Sequence, residues 1–596
     1  MKNSYSLLLF STLYLGCFIA CRKDNTNKGP SDPDPVKPDL TVKVTASVSG
    51  FVSDEQDQPV AFASVVAGDK TARTDEFGYF TFTNASVPKT AGLVTVQRNG
   101  FFAGYRTFAP QEGKQNFIRI KLLTRTEAGT VDAAAGGQAT TTDGGKVVLP
   151  AGAVVVATGG AAYTGAVHVN IRWIDPSNTS GMQTSTPGDS RGTDKDGYLK
   201  LLRSYSAVAV ELTGGSGERL QIAPGKQATI SLPIPSALSA AAPATIDLWR
   251  FNDTTGLWVA EGTATRSGSA YTATVSHFSF WEGAEPLSVV NFSARVVNAS
   301  GLPLANVPVS VTQASLPQNA GYGKFGYTDA NGYISGAVPA NHSLVLDVLT
   351  TCAVSAYSHP FTTNASDIDL GELTGNLGQG LVTLTASVVD CENQPVTNGY
   401  VQTYDHGFYN RIPVSATGTI NFTGLACTNT EISVIAVNNT THQQGDVHTL
   451  TLAPGVNALG ALQACGTSTV GSLTYTVNGV PTTITEGDLT PAGYFSDVAS
   501  GWTQVLIIGP NSNSNYWSFQ FDEGMGLGDT HHVTDIFSQA FKSGRGYAPS
   551  PLNVNITEYG KVGGFITGSF SGLILDFADN TIYQNTSCSF RIRRNN

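Results

Sequence analysis

The chain has 596 residues, room for roughly four to five domains at about 100–150 residues each. Charged residues make up 13%, and 45 Asp plus Glu against 34 Lys plus Arg leave a formal net charge of −11 with no basic run, which excludes nucleic acid as an electrostatic partner. The 64 glycines, with plentiful Thr, Ser, Asn and Val, suit many short strands joined by polar turns.

Residues 1–21 read as a targeting segment. Lys2 supplies a small positive start, and Leu7 to Ala20 is an apolar stretch too short and too early to span a membrane. It ends in Phe18-Ile19-Ala20-Cys21, which resembles the lipobox of bacterial lipoproteins; the resemblance implies cleavage before Cys21 and acylation of its thiol. Cys17, after Leu15-Gly16, is a competing position. Cys21 is preferred because a charged, Pro-rich stretch, residues 22–41, begins directly after it. That stretch is expected to be an extended, unpacked tether, of which the 18 residues 22–39 reach at most roughly 60 Å. The expected location is therefore outside the cytoplasm, lipid-anchored to the outer membrane or surface of a Gram-negative bacterium, because several acyl chains hold a protein firmly.

One string recurs along the chain. Thr74-Asp75-Glu76-Phe77-Gly78-Tyr79 returns as Thr193-Asp194-Lys195-Asp196-Gly197-Tyr198 and as Thr328-Asp329-Ala330-Asn331-Gly332-Tyr333. Asp can bond its own backbone two residues on and Gly takes φ > 0, so each copy predicts a tight reversal between antiparallel strands. Asp194, Asp196 and Gly197 also suggest half of a calcium loop, but the remaining ligands, including a Glu at its far end, are missing.

The first module, residues 42–125, alternates strand-like runs with turns. Its Ser49-Gly50-Phe51-Val52, Gln58-Pro59-Val60, Ala63-Ser64-Val65 and Thr74-Asp75 to Gly78-Tyr79-Phe80 resemble the carboxypeptidase regulatory-like domain, a transthyretin-like sandwich. That resemblance implies a non-catalytic module. Phe101-Phe102 with Tyr105 reads as buried strand residues rather than an exposed patch. The second module, residues 126–286, carries Gly144-Gly145-Lys146, Leu248-Trp249-Arg250-Phe251 and His277-Phe278-Ser279-Phe280-Trp281. This order resembles the β domains of cartilage intermediate layer proteins, implying structure or partner binding. His277 and Trp281 alternate with apolar positions as a core pair would. The glycine-lysine string lacks the upstream Gly and the Ser/Thr that a phosphate loop needs.

Residues 287–374 and 375–466 repeat each other: Asn291 to Val297 with Leu302-Pro303-Leu304 matches Thr383 to Val389 with Gln394-Pro395-Val396. Both resemble immunoglobulin-like or regulatory-like sandwiches. The Thr-Asp turn has decayed in the second copy to Ser415-Ala416-Thr417-Gly418-Thr419. That copy also holds Tyr400, Tyr404, Phe408 and Tyr409 around His406. Exposed aromatics could stack on sugar rings, but the period-two spacing of Tyr400, Gln402 and Tyr404 is an ordinary strand pattern, the favoured reading. Cys352, Cys391, Cys427 and Cys465 are disulfide candidates in an exported chain. Cys391–Cys427 is the first expectation and Cys391–Cys465 the second; sequence does not choose among the pairings. Cys588 is left over. Zinc is disfavoured because no Cys-x-x-Cys or close His spacing occurs, so no metal and no cofactor are expected.

The last module, residues 467–596, shows an Asn478-Gly479 hairpin signal and several strand runs, and resembles weakly the small β domains of exported lipoproteins. Its His531-His532 pair would face opposite sides of a strand.

No His-Glu-x-x-His and no Gly-x-Ser-x-Gly elbow occurs, and Gly214-Gly215-Ser216-Gly217-Glu218 misses the last glycine. The expectation is an all-β chain of tandem transthyretin- or immunoglobulin-like sandwich modules with a small C-terminal β domain, strung like beads from a lipid anchor. Its expected role is non-catalytic: a binding or scaffold protein whose partner is a glycan or an envelope protein. A structural stalk or adhesin is the alternative, and a hydrolase with an unrecognised site a more remote one.

Overall fold

The computed structural model describes residues 32–110, 112–177, 184–314, 323–374, 380–485, 502–508, 516–522, 531–538, 540–559 and 565–593. Cys17, Cys21 and the start of the tether lie outside them. Among the described residues the chain is almost entirely β, with the four-residue helix Ser236–Ser239 a small exception, and no helix is long and apolar enough to cross a membrane.

Three of the modules share one topology. In the first, the strand Lys43–Ser53 sits between Tyr79–Pro88 and Gln115–Lys121, antiparallel to one and parallel to the other. A second sheet runs Lys70–Arg73, Ser64–Ala67, Gly92–Gln97, Gly104–Phe108. The same central order recurs around Val289–Val297 and around Leu381–Val389, so the first module shares the topology of the two copies that match each other over longer stretches of sequence. Period-two alternation builds each core: Leu344, Leu346 and Val348 are fully buried, as are Ala63, Val65 and Ala67.

The turns explain the recurring string. Oδ1 of Asp75 accepts the backbone N–H of Phe77 at 3.0 Å and of Tyr79 at 2.9 Å. Asp194 and Asp329 do the same for Asp196 and Tyr198 and for Asn331 and Tyr333. Gly78, Gly197 and Gly332 follow at φ 71°, 82° and 77°. The preceding Thr has a task of its own: buried Thr74 donates to the Val60 carbonyl at 2.7 Å and accepts from Ala63 N–H at 2.9 Å, and Thr328 repeats this with Leu304 and Val307. In the decayed copy Ser415 Oγ still accepts from Thr417 and Thr419.

Residues 127 to 287 form one 13-stranded hydrogen-bonded sheet system centred on the long strand Leu199–Thr213. Trp249, Trp258, Trp281 and Tyr271 are fully buried there. His277 lies against Trp281, ring centroids 5.0 Å apart, with Nε2 3.3 Å from Glu261. The C-terminal part is an eight-stranded antiparallel sheet, with the hairpin at Asn478-Gly479 (φ 50° and 79°) where expected. Its apolar core includes Cys588, 1% exposed.

Two expectations are corrected. The cysteines pair as Cys352–Cys427 and Cys391–Cys465; Cys391–Cys427 does not form. Cys391 leaves the end of Leu381–Val389, and the parallel partner Gly455–Gln463 brings Cys465 out at that same end, with Val389 opposite Gln463. Cys427 follows the antiparallel partner Thr419–Leu425, whose Leu425 faces Leu381, so it emerges at the opposite end. The tether is the second correction. Its described part is docked, with the Val36 carbonyl accepting Leu199 N–H at 2.8 Å, Lys37 Nζ 4.9 Å from the Tyr198 ring centre, and the Asp39 carbonyl accepting Thr90 Oγ1. Pro and charge keep a chain extended, but an extended backbone still offers carbonyls to a neighbouring strand.

Candidate functional site

The aromatic segment forms a hairpin. Gly399–Asp405 pairs with Phe408–Pro413, with Tyr404 opposite Tyr409 and Asp405 opposite Phe408. His406 and Gly407, at φ 48° and 83°, make the two-residue turn. At Gly407 an added Cβ would come within 2.9 Å of the Asp57 carboxyl carbon in the first module. The tip of this hairpin is therefore pressed against another sandwich.

Tyr400 and Tyr409 are 7% and 8% exposed. The Arg411 guanidinium lies 3.7 Å from the Tyr400 ring centre and 3.9 Å from that of Tyr79, and pairs with Asp75 Oδ2. The first copy of the recurring turn thus docks on the fourth module. Tyr404 packs on Tyr409, ring centroids 4.7 Å apart, and Tyr409 stacks on Phe51 of the first module. Burial raises the Tyr400 and Tyr409 hydroxyl pKa values well above the usual range.

Arg119 sits at the centre. Its Nη2 donates to the Tyr409 carbonyl at 2.7 Å, across 290 residues of sequence. Its guanidinium carbon is 4.9–5.3 Å from the ring centres of Phe51, Phe117, Tyr327 and Phe408, aromatics from three modules. Burial lowers the Arg119 pKa and pushes the Tyr327 hydroxyl up to about 12. A guanidinium tolerates this place because four electron-rich faces replace part of its hydration.

The other faces are joined as closely. Phe102 and Leu123 share one apolar cluster with Trp249, Phe251, Trp258 and Phe280. Arg106 donates to the Gly188 carbonyl at 3.0 Å, Arg191 to the Thr90 carbonyl at 2.8 Å, and Arg172 pairs with Glu55. Leu201 and Leu425 enter the core of the third module from either side. Between the third and fourth, Cys352–Cys427 is the covalent link, and Thr351 Oγ1 donates to buried Asp405 while accepting Cys427 N–H at 3.0 Å. Asp405 in turn holds His406 Nδ1 at 2.5 Å. Cys352, Cys427 and His406 offer ligand atoms within 4.8 Å of one another, but the two sulfurs are bonded to each other.

Of the sequence candidates, Tyr400, Tyr404, Phe408 and Tyr409 come together, as contacts between modules rather than as a solvent-facing strip. Cys391 and Cys465 lie inside the fourth module. Sequence reasoning missed Arg119, Arg411 and the partner role of Asp75. No local signal marks them, because each acts across several hundred residues.

A turn aspartate with two tasks makes a separable prediction. Asp75→Ala removes the turn acceptor and the Arg411 partner together and is expected to cost roughly 2 kcal/mol by urea denaturation. Asp75→Asn keeps Oδ1 and removes the charge, and is expected to cost about 1 kcal/mol. If the asparagine variant matched the parent, the pair with Arg411 would contribute nothing.

No protein-family model matches the chain. It is 26% identical over 228 residues to cartilage intermediate layer protein 2 of Mus musculus, which covers 36% of this chain and 19% of that protein; the chain thus spans about a fifth of that relative's length. Among solved structures, the minor pilin GBS52 of Streptococcus agalactiae aligns with 30% of this chain at 9% identity, covering 96% of the pilin, with a TM-score of 0.16. The shaft pilin SpaA of Lactobacillus rhamnosus GG aligns with 30% at 9% identity, covering 98% of that chain, with a TM-score of 0.18. Scores this low transfer neither an arrangement nor a role.

Proposed function

We propose that this is a non-catalytic cell-surface protein whose sandwich modules are consolidated into a rigid structural or adhesive block, carried on a lipid anchor at Cys21. The observation that carries this reading is the junction around Arg119. The aromatics that would have served as a sugar-stacking platform are spent on holding modules together. Flexible beads presenting separate ligand sites would not need a buried guanidinium shared by three modules, nor a disulfide from one sandwich to the next. The non-catalytic part rests on the failed motifs in the sequence, and the anchor on the lipobox resemblance. The partner in this reading is the membrane through the acyl chains, with another envelope protein or a glycan as the contact at the outer end.

Two measurements test it. Labelled palmitate fed to expressing cells is expected to enter the wild-type chain and not Cys21→Ser; equal labelling of both would remove the anchor from the proposal. Purified protein on a polysaccharide and cell-wall array is expected to turn nothing over, and product from any substrate there would overturn the non-catalytic assignment.

A further inference from the structure

The faces that meet around Arg119 do not close completely. They leave a cavity of about 200 Å³ walled by three modules, with Phe108 and Phe117 from the first, Asp189 and Arg191 from the second, and Phe325 and Ile334 from the third. About half of the wall is apolar, and three arginines line the rest together with uncharged polar groups: Arg106, Arg119 and Arg191. Arg191 is 6% exposed; its Nε donates to Asp189 at 2.7 Å and its Nη1 to Thr90. Arg106 reaches the carbonyl of Gly188, next to Asp189, so these two guanidiniums converge on one loop. Among the described residues, buried Nη2 of Arg191 and Nε of Arg119 have no hydrogen-bond acceptor. Both wall carboxylates are engaged, Asp189 by Arg191 and Asp329 by the amides of Asn331 and Tyr333.

The cavity therefore has surplus positive charge, a partly apolar wall, and buried donors on Arg191 and Arg119 for which the protein supplies no acceptor. A buried charged donor left unpaired is costly, and a carboxylate is the acceptor whose geometry suits a guanidinium. The volume lies below the usual range of small-molecule sites, roughly 300–1,000 Å³, so the occupant is small. From these features we infer that the three-module cavity is a binding site for a small carboxylate with an aromatic or branched apolar body, its carboxylate received by the unpaired Nη2 of Arg191 with the Arg106 guanidinium converging beside it, and its body lying against Phe117, Phe325 and Ile334. This site is separate from the structural reading above and stands without it.

Calorimetric titration of the full chain with 3-phenylpropionate is expected to show saturable binding, at least tenfold weaker for the neutral 3-phenylpropan-1-ol. Arg106→Gln is expected to weaken the acid at least tenfold. Because Arg106 also ties the first module to Gly188, a second variant leaves every guanidinium in place. Gly336 lines the cavity, and a Cβ there meets nothing closer than the Phe292 ring at 3.5 Å. Gly336→Leu fills the space and is expected to abolish binding while the thermal unfolding midpoint stays near that of the parent. The inference is overturned by no saturable binding of the acid to the wild-type chain, by equal affinity for acid and alcohol, or by undiminished affinity in a folded Gly336→Leu protein.

Discussion

Replacing Arg119 by alanine is expected to cost about 3 kcal/mol and to uncouple the unfolding of the modules it joins. Three effects add in the same direction. The Tyr409 carbonyl loses its donor and stays buried, which costs about 1–3 kcal/mol. The truncated side chain leaves a void between close-packed rings. The attraction of the guanidinium to Phe51, Phe117, Tyr327 and Phe408 disappears. One term opposes them, because a buried guanidinium is itself expensive to desolvate. Arg119→Met separates the contributions. It keeps most of the volume without the charge, and is expected to cost about 1 kcal/mol. Scanning calorimetry supplies the readout. The wild-type first, third and fourth modules should unfold in one transition that splits in the alanine variant. An unchanged profile for Arg119→Ala would mean that the junction does not hold these modules together.

The second large effect comes from the disulfides, which form a matched pair of cross-links. Cys352–Cys427 and Cys391–Cys465 span 75 and 74 residues. Chain entropy alone therefore assigns them nearly equal stabilisation, about 4 kcal/mol each, with roughly 2–4 kcal/mol expected in practice. Their structural consequences should nevertheless differ. The Cys391→Ser/Cys465→Ser protein loses a link inside one sandwich and should keep its solution scattering profile under native conditions. The Cys352→Ser/Cys427→Ser protein loses the covalent bond between two sandwiches. Their remaining ties include Thr351 with Asp405 and the Leu425 contact, so its radius of gyration should increase. Identical scattering from both proteins would show that the non-covalent junction alone fixes the third module against the fourth.

Legibility followed the range of each interaction. The recurring Thr-Asp-x-x-Gly-Tyr string was readable as a turn because its hydrogen bonds run from residue i to i+2 and i+4. The Asn478-Gly479 hairpin was readable for the same local reason, since two residues set both φ angles. His277 does lie beside Trp281, but not through the strand period: it sits on the bend between Ala270–Val275 and Phe280–Leu287, partly exposed and paired with Glu261, and of the two only Trp281 is in the core. The disulfide pairing was not readable, because it depends on which neighbour of Leu381–Val389 runs parallel to it. The repeat was only partly readable. The first module shares short strings with the later copies, Gln58-Pro59-Val60 with Gln394-Pro395-Val396 and the turn at Thr74 with that at Thr328, while their common strand order shows only in the hydrogen-bonded pairing.

By itself, then, the amino-acid order determined the all-β class and the turns, and it identified the aromatic cluster, since period-two burial and short-range backbone bonds need only near neighbours. Only the tertiary structure decided what that cluster is for. Tyr400 and Tyr79 become the two sides of one guanidinium only when segments more than 300 residues apart meet, with Asp75 and Arg411 separated by 336. Nothing along the chain encodes such a meeting locally, because it is set by how whole sandwich faces fit together after each has closed its own core.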